Sequence, residues 1–317
     1  MKNCLAAIVL FAVVAVVSAM ETTVKKYVPD SAVAAAQIKV GKFLRNPVVS
    51  EVLNQPEFMA RRQKYEEKSG VRLTDLKTVW FFIDGFGRSI SLCALNRTVD
   101  LENVFKSAEI PFSKSTVGGR TVFHLTGNGS GEKAGEVAEL EPGLLVSGEK
   151  GAVVRYLKGK RGNTEVLADV FKKIPAGKPV KVVFVNTIKN ADGTVTDPVH
   201  VYGSFDFTGK EQKDFDFQFN FFCGSTDGAQ MFAARLPVFI MMGSALLFAQ
   251  APELSEQLVS CVKNQVEKSV VMLNAVVPEA LGRQTAAYIE QNTERFIPRK
   301  KSVRKSGKRR KKSVVAE

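Results

Sequence analysis

DFDFQFNFF, Asp214 to Phe222, places Phe215, Phe217, Phe219 and Phe221 at alternate positions, with Asp214, Asp216, Gln218 and Asn220 between them. A period of two sends successive side chains to opposite sides of a strand, so the segment reads as a half-buried antiparallel strand with one apolar and one polar face. Its partner lies just upstream, where Val199, Val201, Phe205 and Phe207 keep the same period. Much of the chain's count of 22 phenylalanines therefore belongs to one sheet face that has to pack on something apolar. The next segment, AQMFAARLPVFIMMGSALLFAQ (Ala229 to Gln250), is expected to be that covering layer. From Leu236 to Ala249 it is apolar all round, which reads as a buried core helix bent at Pro237. A membrane-dipping segment is the alternative; a full span needs about twenty apolar residues, and the mature chain is expected to have none.

Outward from this hairpin the same alphabet recurs. KVVFVNTI (Lys181 to Ile188) is a strand preceded by a helix, Thr164 to Ile174, and followed by the turn NADG. TVWFFIDGFGRSISLCALNR (Thr78 to Arg97) is a second hairpin, rich in β-branched and aromatic residues and turning at Asp84-Gly85. Asp100 is placed to cap a helix over Leu101 to Ala108. Strands over Arg120 to Leu125 and Leu144 to Gly148 bracket the loop TGNGSGEKAG, and a helix follows from Gly151 to Leu157. Near the front, apolar spacing predicts helices over Ala32 to Leu44 and Pro56 to Ser69. Near the end it predicts a helix around Glu253 to Glu267, a strand through Val270 to Val277 and a final helix from Pro278 to Asn292. The fold class is α+β: two consecutive halves of antiparallel sheet packed with helices, residues 20–159 and 160–298, parted at the polar hinge KGKRGN. The second half repeats the style of the first, without a residue pattern strict enough to prove duplication.

The two ends are of another kind. Residues 1–19 carry Lys2, thirteen apolar residues from Leu5 to Val17, and small residues at Val17-Ser18-Ala19, which reads as a signal peptide cut after Ala19. Cys4 precedes the apolar run, so it is not a lipid-anchored cysteine. Of the formal charge of +13, +9 falls in RKKSVRKSGKRRKKSVVAE (299–317) and +1 on Lys2, which leaves +3 for residues 20–298. A block of like charge cannot bury surface, so 299–317 is expected to be a disordered tail. Its cations are Arg299, Lys300, Lys301, Arg304, Lys305, Lys308, Arg309, Arg310, Lys311 and Lys312. They suit a polyanion: anionic lipid, an acidic envelope polymer or nucleic acid. No aromatic residue follows Phe296, so base stacking is not supported there.

Catalytic motifs are scarce. His124 and His200 are the two histidines, each in a strand, and neither belongs to a metal or nucleophile motif. Ser130 and Lys133 in the glycine-rich loop match neither a nucleophile elbow nor a phosphate loop. Asp206, Asp214 and Asp216 share one strand face and are candidates for cation binding or acid/base work, although alternating acids also suit plain solvation. Cys93, Cys223 and Cys261 exclude a disulfide framework; a Cys223–Cys261 bridge and three packed thiols both remain open. No cofactor or metal signature is present.

The segments VPDSAVAAAQIKV (Val28 to Val40), GVRLTDLKTVWFFIDG (Gly70 to Gly85) and LEPGLLVSGEKGAVVRYLKG (Leu140 to Gly159), behind a signal peptide, resemble uncharacterised exported proteins of planctomycete- and lentisphaera-type bacteria. That resemblance implies an α+β body and bacterial export, to the periplasm or envelope, and no catalytic residue. The expected function is a non-enzymatic binding or structural protein of the cell envelope with a polyanion-tethering tail. The alternatives are an exported enzyme with its site between the halves, and a nucleic-acid binder acting through the tail.

Overall fold

In the computed structural model the described residues are 26–69, 71–126, 135–161, 165–209, 211 and 213–292. The expected signal peptide, the glycine-rich loop beyond Thr126 and the cationic tail lie outside them. Twelve strands form one antiparallel sheet: β1 (Ala32–Ile38), β2 (Leu76–Asp84), β3 (Ser89–Leu95), β4 (Phe112–Val117), β5 (Arg120–Leu125), β6 (Gly135–Glu141), β7 (Leu144–Glu149), β8 (Val180–Val185), β9 (His200–Thr208), β10 (Asp214–Phe222), β11 (Val262–Glu267) and β12 (Val270–Val277). The helices among the described residues are α1 (Val40–Leu44), α2 (Pro47–Leu53), α3 (Pro56–Ser69), α4 (Leu101–Ser107), α5 (Ala152–Lys158), α6 (Glu165–Lys172), α7 (Thr226–Leu247), α8 (Pro252–Ser260) and α9 (Glu279–Gln291). The α+β class is thus the observed one.

The strand order is β11-β12-β10-β9-β8-β1-β2-β3-β7-β6-β5-β4. On one side of the centre β1, β2 and β3 run in sequence, α4 intervenes, and a meander returns so that its last strand, β7, docks beside β3. On the other, β8, β9 and β10 run in sequence, α7 and α8 intervene, and the last strand of a hairpin, β12, docks beside β10. The two units meet where β1 pairs with β8. The likeness of the halves is therefore one of topology.

β1 corrects the sequence reading. The expectation for AVAAAQI is a helix, and alanine has the highest helix propensity. The structure instead holds it between two ladders, with Ala35 opposite Phe82, Ala36 opposite Phe81 and Ala34 opposite Phe184. Small side chains at the centre make room for the phenylalanines of both neighbours, and the helix begins only at Val40. Two polar-looking strands are additions to the sequence reading. β4 (FSKSTV) is an edge strand, and β6 (GEVAELE) turns Glu136, Ala138 and Leu140 inward. At the other edge the helix expected to reach Glu267 stops at Ser260; VKNQVE pairs with β12 as a polar edge strand. The Asp84-Gly85 hairpin, the Asp100 cap on α4 and the long Phe hairpin are as expected.

Register sorts the two sheet faces. One row runs from Phe123 through Phe81, Ala36, Val182, Gly203 and Phe219 to Leu273. This is the phenylalanine face, and α4 covers its β5–β7 end while α7 lies over β11 and β12. Gly203 is required here, because a Cβ would stand 2.5 Å from the carbonyl oxygen of Gln218 and inside the Phe219 ring contact. The opposite face carries α5 and α6, over a row that begins with Val122, Ala138, Val146, Leu92 and Trp80. It turns polar at Gln37, Lys181, Ser204 and Gln218.

Gln37 and Lys181 are fully buried in that row. The Lys181 ammonium donates to the Ile174 carbonyl at 3.0 Å, while the Gln37 amide and Trp80 Nε1 have no hydrogen-bond partner among the described residues. Burial, helped by Lys39, pulls the Lys181 pKa down to about 8. An unfolded lysine keeps its proton to about 10.4, so between these values the unfolded state binds more protons and stability rises with pH. Denaturant titrations from pH 7.5 to 10.5 should show this rise, on the order of 2 to 3 kcal/mol. Lys181→Met should flatten it and be at least as stable at pH 7.

Candidate functional site

The polar candidates do not converge. His124 stands on β5 and His200 on β9, with six strands between them in the sheet order. At about 4.8 Å per strand that is roughly 30 Å or more. The shared site between the halves that an enzyme would need is not formed by these residues.

Each candidate has a local partner instead. Asp214 is split from the other acids: its Oδ1 accepts the Glu279 amide at 3.0 Å, at the start of α9. Asp206 and Asp216 do face each other across β9 and β10, and Lys178 lies between them at 3.5 and 3.2 Å. Gln218 Nε2 also donates to Asp216, at 3.1 Å. The expected three-carboxylate face is therefore a two-carboxylate, one-ammonium cluster plus a helix cap. Among the described residues no group of three or more His, Cys, Asp or Glu could hold a metal ion.

His200 is buried, stacked on Phe222 at 4.5 Å and on Tyr202 at 6.2 Å. Lys173 Nζ sits 3.4 Å from its Nε2 and above the Phe222 and Tyr202 rings. Burial first, then the Lys173 charge, pulls the imidazole pKa down to about 4, so it is neutral at physiological pH.

His124 belongs to a chain of contacts that the sequence does not expose. Ser115 Oγ is 2.7 Å from Nε2, and Nδ1 is 3.1 Å from Glu136 Oε1. Glu136 Oε2 accepts the Val153 and Val154 amides at 3.0 and 3.2 Å, at the first turn of α5. Burial opposes ionisation of Glu136, but these donors outweigh it and hold the carboxyl below its ordinary range. Ser115 escapes a sequence reading because it lies in the edge strand that the polar pattern conceals.

All three cysteines within the described residues are free thiols, so the Cys223–Cys261 bridge is not formed. Cys223 is buried under α7, where burial and the nearby Asp197 carboxylate push its pKa up to about 11. Cys261 Sγ donates to the Gln257 carbonyl.

The largest departure from the sequence reading is α7. Ser225 caps it, its side chain accepting the Gly228 amide at 2.9 Å, and the helix continues through Pro237 to Leu247. Proline supplies no amide to the Ala233 carbonyl, and Asn264 Nδ2 on β11 faces that oxygen at 3.5 Å. Ala229, Phe232, Ala233, Leu236 and Ile240, at helical spacing, pack on Phe221, Val271 and Leu273. Only this stripe is covered, so the buried core helix expected from the sequence is not what forms. On the outward side Met231, Val238, Phe239, Met241, Met242 and Leu246 are 48–80% exposed, and Leu247, in line with Ala229 and Ile240, is exposed where the covered stripe runs out. Leaving side chains of this size half in water forfeits roughly 1 kcal/mol each, and a contiguous apolar patch marks an interaction site. Among the described residues α7 is the one helix long and apolar enough to cross a membrane by length and composition.

Its far end meets the end of the described chain. Ser244 and Ser255 hydroxyls join α7 to α8 at 2.7 Å. Phe248, the C-cap of α7, lies 5.3 Å from the Tyr288 ring of α9.

No protein-family model matches the chain, and no curated protein is similar to it. Among solved structures, a crystal structure of TP0453 superposes over 86% of this chain and 98% of that one, at 10% identity and a TM-score of 0.43. The chemistry rests on the residues themselves.

Three variants check the assignments made for the polar face. Lys178→Met should lower stability by about 2 kcal/mol, because it leaves two facing carboxylates uncompensated, and adding Asp216→Asn should restore most of it. For His200, the unfolded imidazole protonates near 6.5 and the folded one only near 4, so stability should fall as pH drops through that window. His200→Phe should remove this part of the acid sensitivity in urea titrations.

Proposed function

We propose that the protein is an exported, non-enzymatic binding or structural component of the cell envelope, held to a polyanion by residues 299–317. The observation that carries this reading is charge segregation: a body of +3 over residues 20–298 against ten cations and one acid in the last nineteen residues. Each Lys or Arg close to an anionic surface contributes about 1 kcal/mol at low ionic strength, and the interaction is screened by salt. Ten such residues suffice to hold a soluble body reversibly. The structural roles of Asp214, His200, Asp206 and Asp216, as cap, packed ring and ion-paired carboxylates, support the non-enzymatic part of the reading.

A second reading, an exported enzyme, has one observation in its favour. Ser115, His124 and Glu136 stand in the order of a nucleophile, base and orienting acid, with hydrogen-bonding distances at both steps. Labelling by a fluorophosphonate that is lost in Ser115→Ala would support it. No labelling of the intact protein would remove it.

The tether is tested by cosedimentation of residues 20–317 and 20–298 with anionic vesicles, envelope polymer and DNA over a salt series. The full chain should bind at about 50 mM salt and release by about 500 mM, with the truncated chain at least tenfold weaker. Equal binding by the two would refute the tether, and selective binding to DNA would favour the nucleic-acid reading.

A further inference from the structure

We infer that the outward face of α7 is a lipid-binding surface that lies flat in the headgroup region of an anionic bilayer, with the cationic tail engaging the same surface. The inference rests on the tether reading above and commits it to lipid.

The geometry favours a helix lying in the interface over one that crosses. Twenty-two residues make a rod of about 33 Å, and its inner stripe is already spent on Phe221, Val271 and Leu273. Crossing would strip that contact, whereas lying flat keeps it and covers only what is exposed. The outer side is apolar over successive turns, from Met231 through Val238, Phe239 and Met242 to Leu246. Arg235, exposed among these residues, has a stem long enough to bring its guanidinium to lipid phosphates while the helix sits below them. Three methionines and a phenylalanine form a deformable apolar surface suited to fluid chains.

Charge and chain placement argue for an anionic bilayer as the occupant. The described chain ends at Asn292, one turn beyond Tyr288, which packs on the cap of α7. Six residues, 293–298, separate that corner from Arg299, a reach of up to about 20 Å. The ten cations therefore start within reach of the plane that the outward face would occupy. One weak signal gives marginal membrane affinity, and a second on the same side makes it stable. A protein partner would need a complementary apolar surface as well as an acidic one; a bilayer rich in anionic lipid supplies both over any area.

Phe239→Trp in the chain from residue 20 makes the test, because the native Trp80 is fully buried and reports on the fold. With vesicles of equal phosphatidylglycerol and phosphatidylcholine, emission from the indole introduced on α7 should shift to the blue and be quenched by brominated acyl chains. Pure phosphatidylcholine should bind at least tenfold more weakly. Met242→Gln with Leu246→Gln should lower affinity for the mixed vesicles at least tenfold while leaving Trp80 emission unchanged. Vesicle binding with the introduced indole still open to aqueous quencher would overturn the inference and leave the tether standing. Binding of 20–298 as tight as the full chain, with that indole in lipid, would overturn the tether and keep α7 as the lipid site. Concentration-dependent protection of the same indole without vesicles would assign the face to a second copy of this chain and overturn the lipid proposal. Absence of vesicle binding by any form would overturn both for lipid.

Discussion

The pairing of β1 with β8 is the constraint on which the rest of the molecule depends. Five residue pairs, Ala34 with Phe184 through Ile38 with Val180, turn two separate antiparallel units into one twelve-stranded sheet. β1 is also paired on its other side with β2, so each of its backbone ladders serves a different unit. An alanine-rich segment suits this position because both neighbours are crowded with valine and phenylalanine. A larger residue at Ala35 or Ala36 would meet Phe82 or Phe81 directly across the strand.

From that seam the two sheet faces acquire different characters. On the α5 and α6 side the first unit is apolar apart from the Ser115–His124–Glu136 chain under α5, and the second unit turns polar, so that Asp206, Asp216, Lys178 and His200 collect there. On the other side the phenylalanines of β9 and β10 largely cover one another. Phe205 lies 4.9 Å from Phe207 and 5.0 Å from Phe217, and Phe43 of α1 closes the group at 5.9 and 6.5 Å. The apolar demand of the strand is thus met by its own sheet, by α1 and, at Phe215, by Gly282 of α9. That leaves α7 to cover the β11–β12 end and Phe221 of β10, and its second apolar face has nothing of the described chain on it.

What the sequence discloses follows the same logic. Hairpins with a strict period of two and a turn signal are legible, because local pattern and tertiary demand agree at Asp84-Gly85 and in DFDFQFNFF. β1 is not, since its strand conformation is imposed by two ladders far away in the chain. β4 and β11 are not, since edge strands are polar on purpose and lack the apolar period. For α7 the composition reads correctly as apolar all round, but composition cannot say how many sides the fold has room to cover. Ser115 is hidden for the same reason as β4, and Asp214 parts from Asp206 and Asp216 because the start of α9 competes for its carboxylate.

The division of charge and apolar surface completes the picture. A nearly neutral body has no long-range attraction for an anionic surface, and an exposed apolar helix alone has no way to tell a bilayer from another protein. In the proposed reading the cations beyond residue 298 would supply direction, and the outward side chains of α7 short-range contact that salt does not screen. The Phe248–Tyr288 and Ser244–Ser255 contacts bring the ends of α7, α8 and α9 together, and under the proposal the cations that follow α9 in the chain would search while the outward face of α7 would latch. Either feature taken alone has an ordinary explanation, a solubilising tail or a badly covered helix. They are read together in the proposal because α9, held by Asp214 and packed through Gly282 on Phe215, ends against the cap of α7, and the cations follow it in the chain.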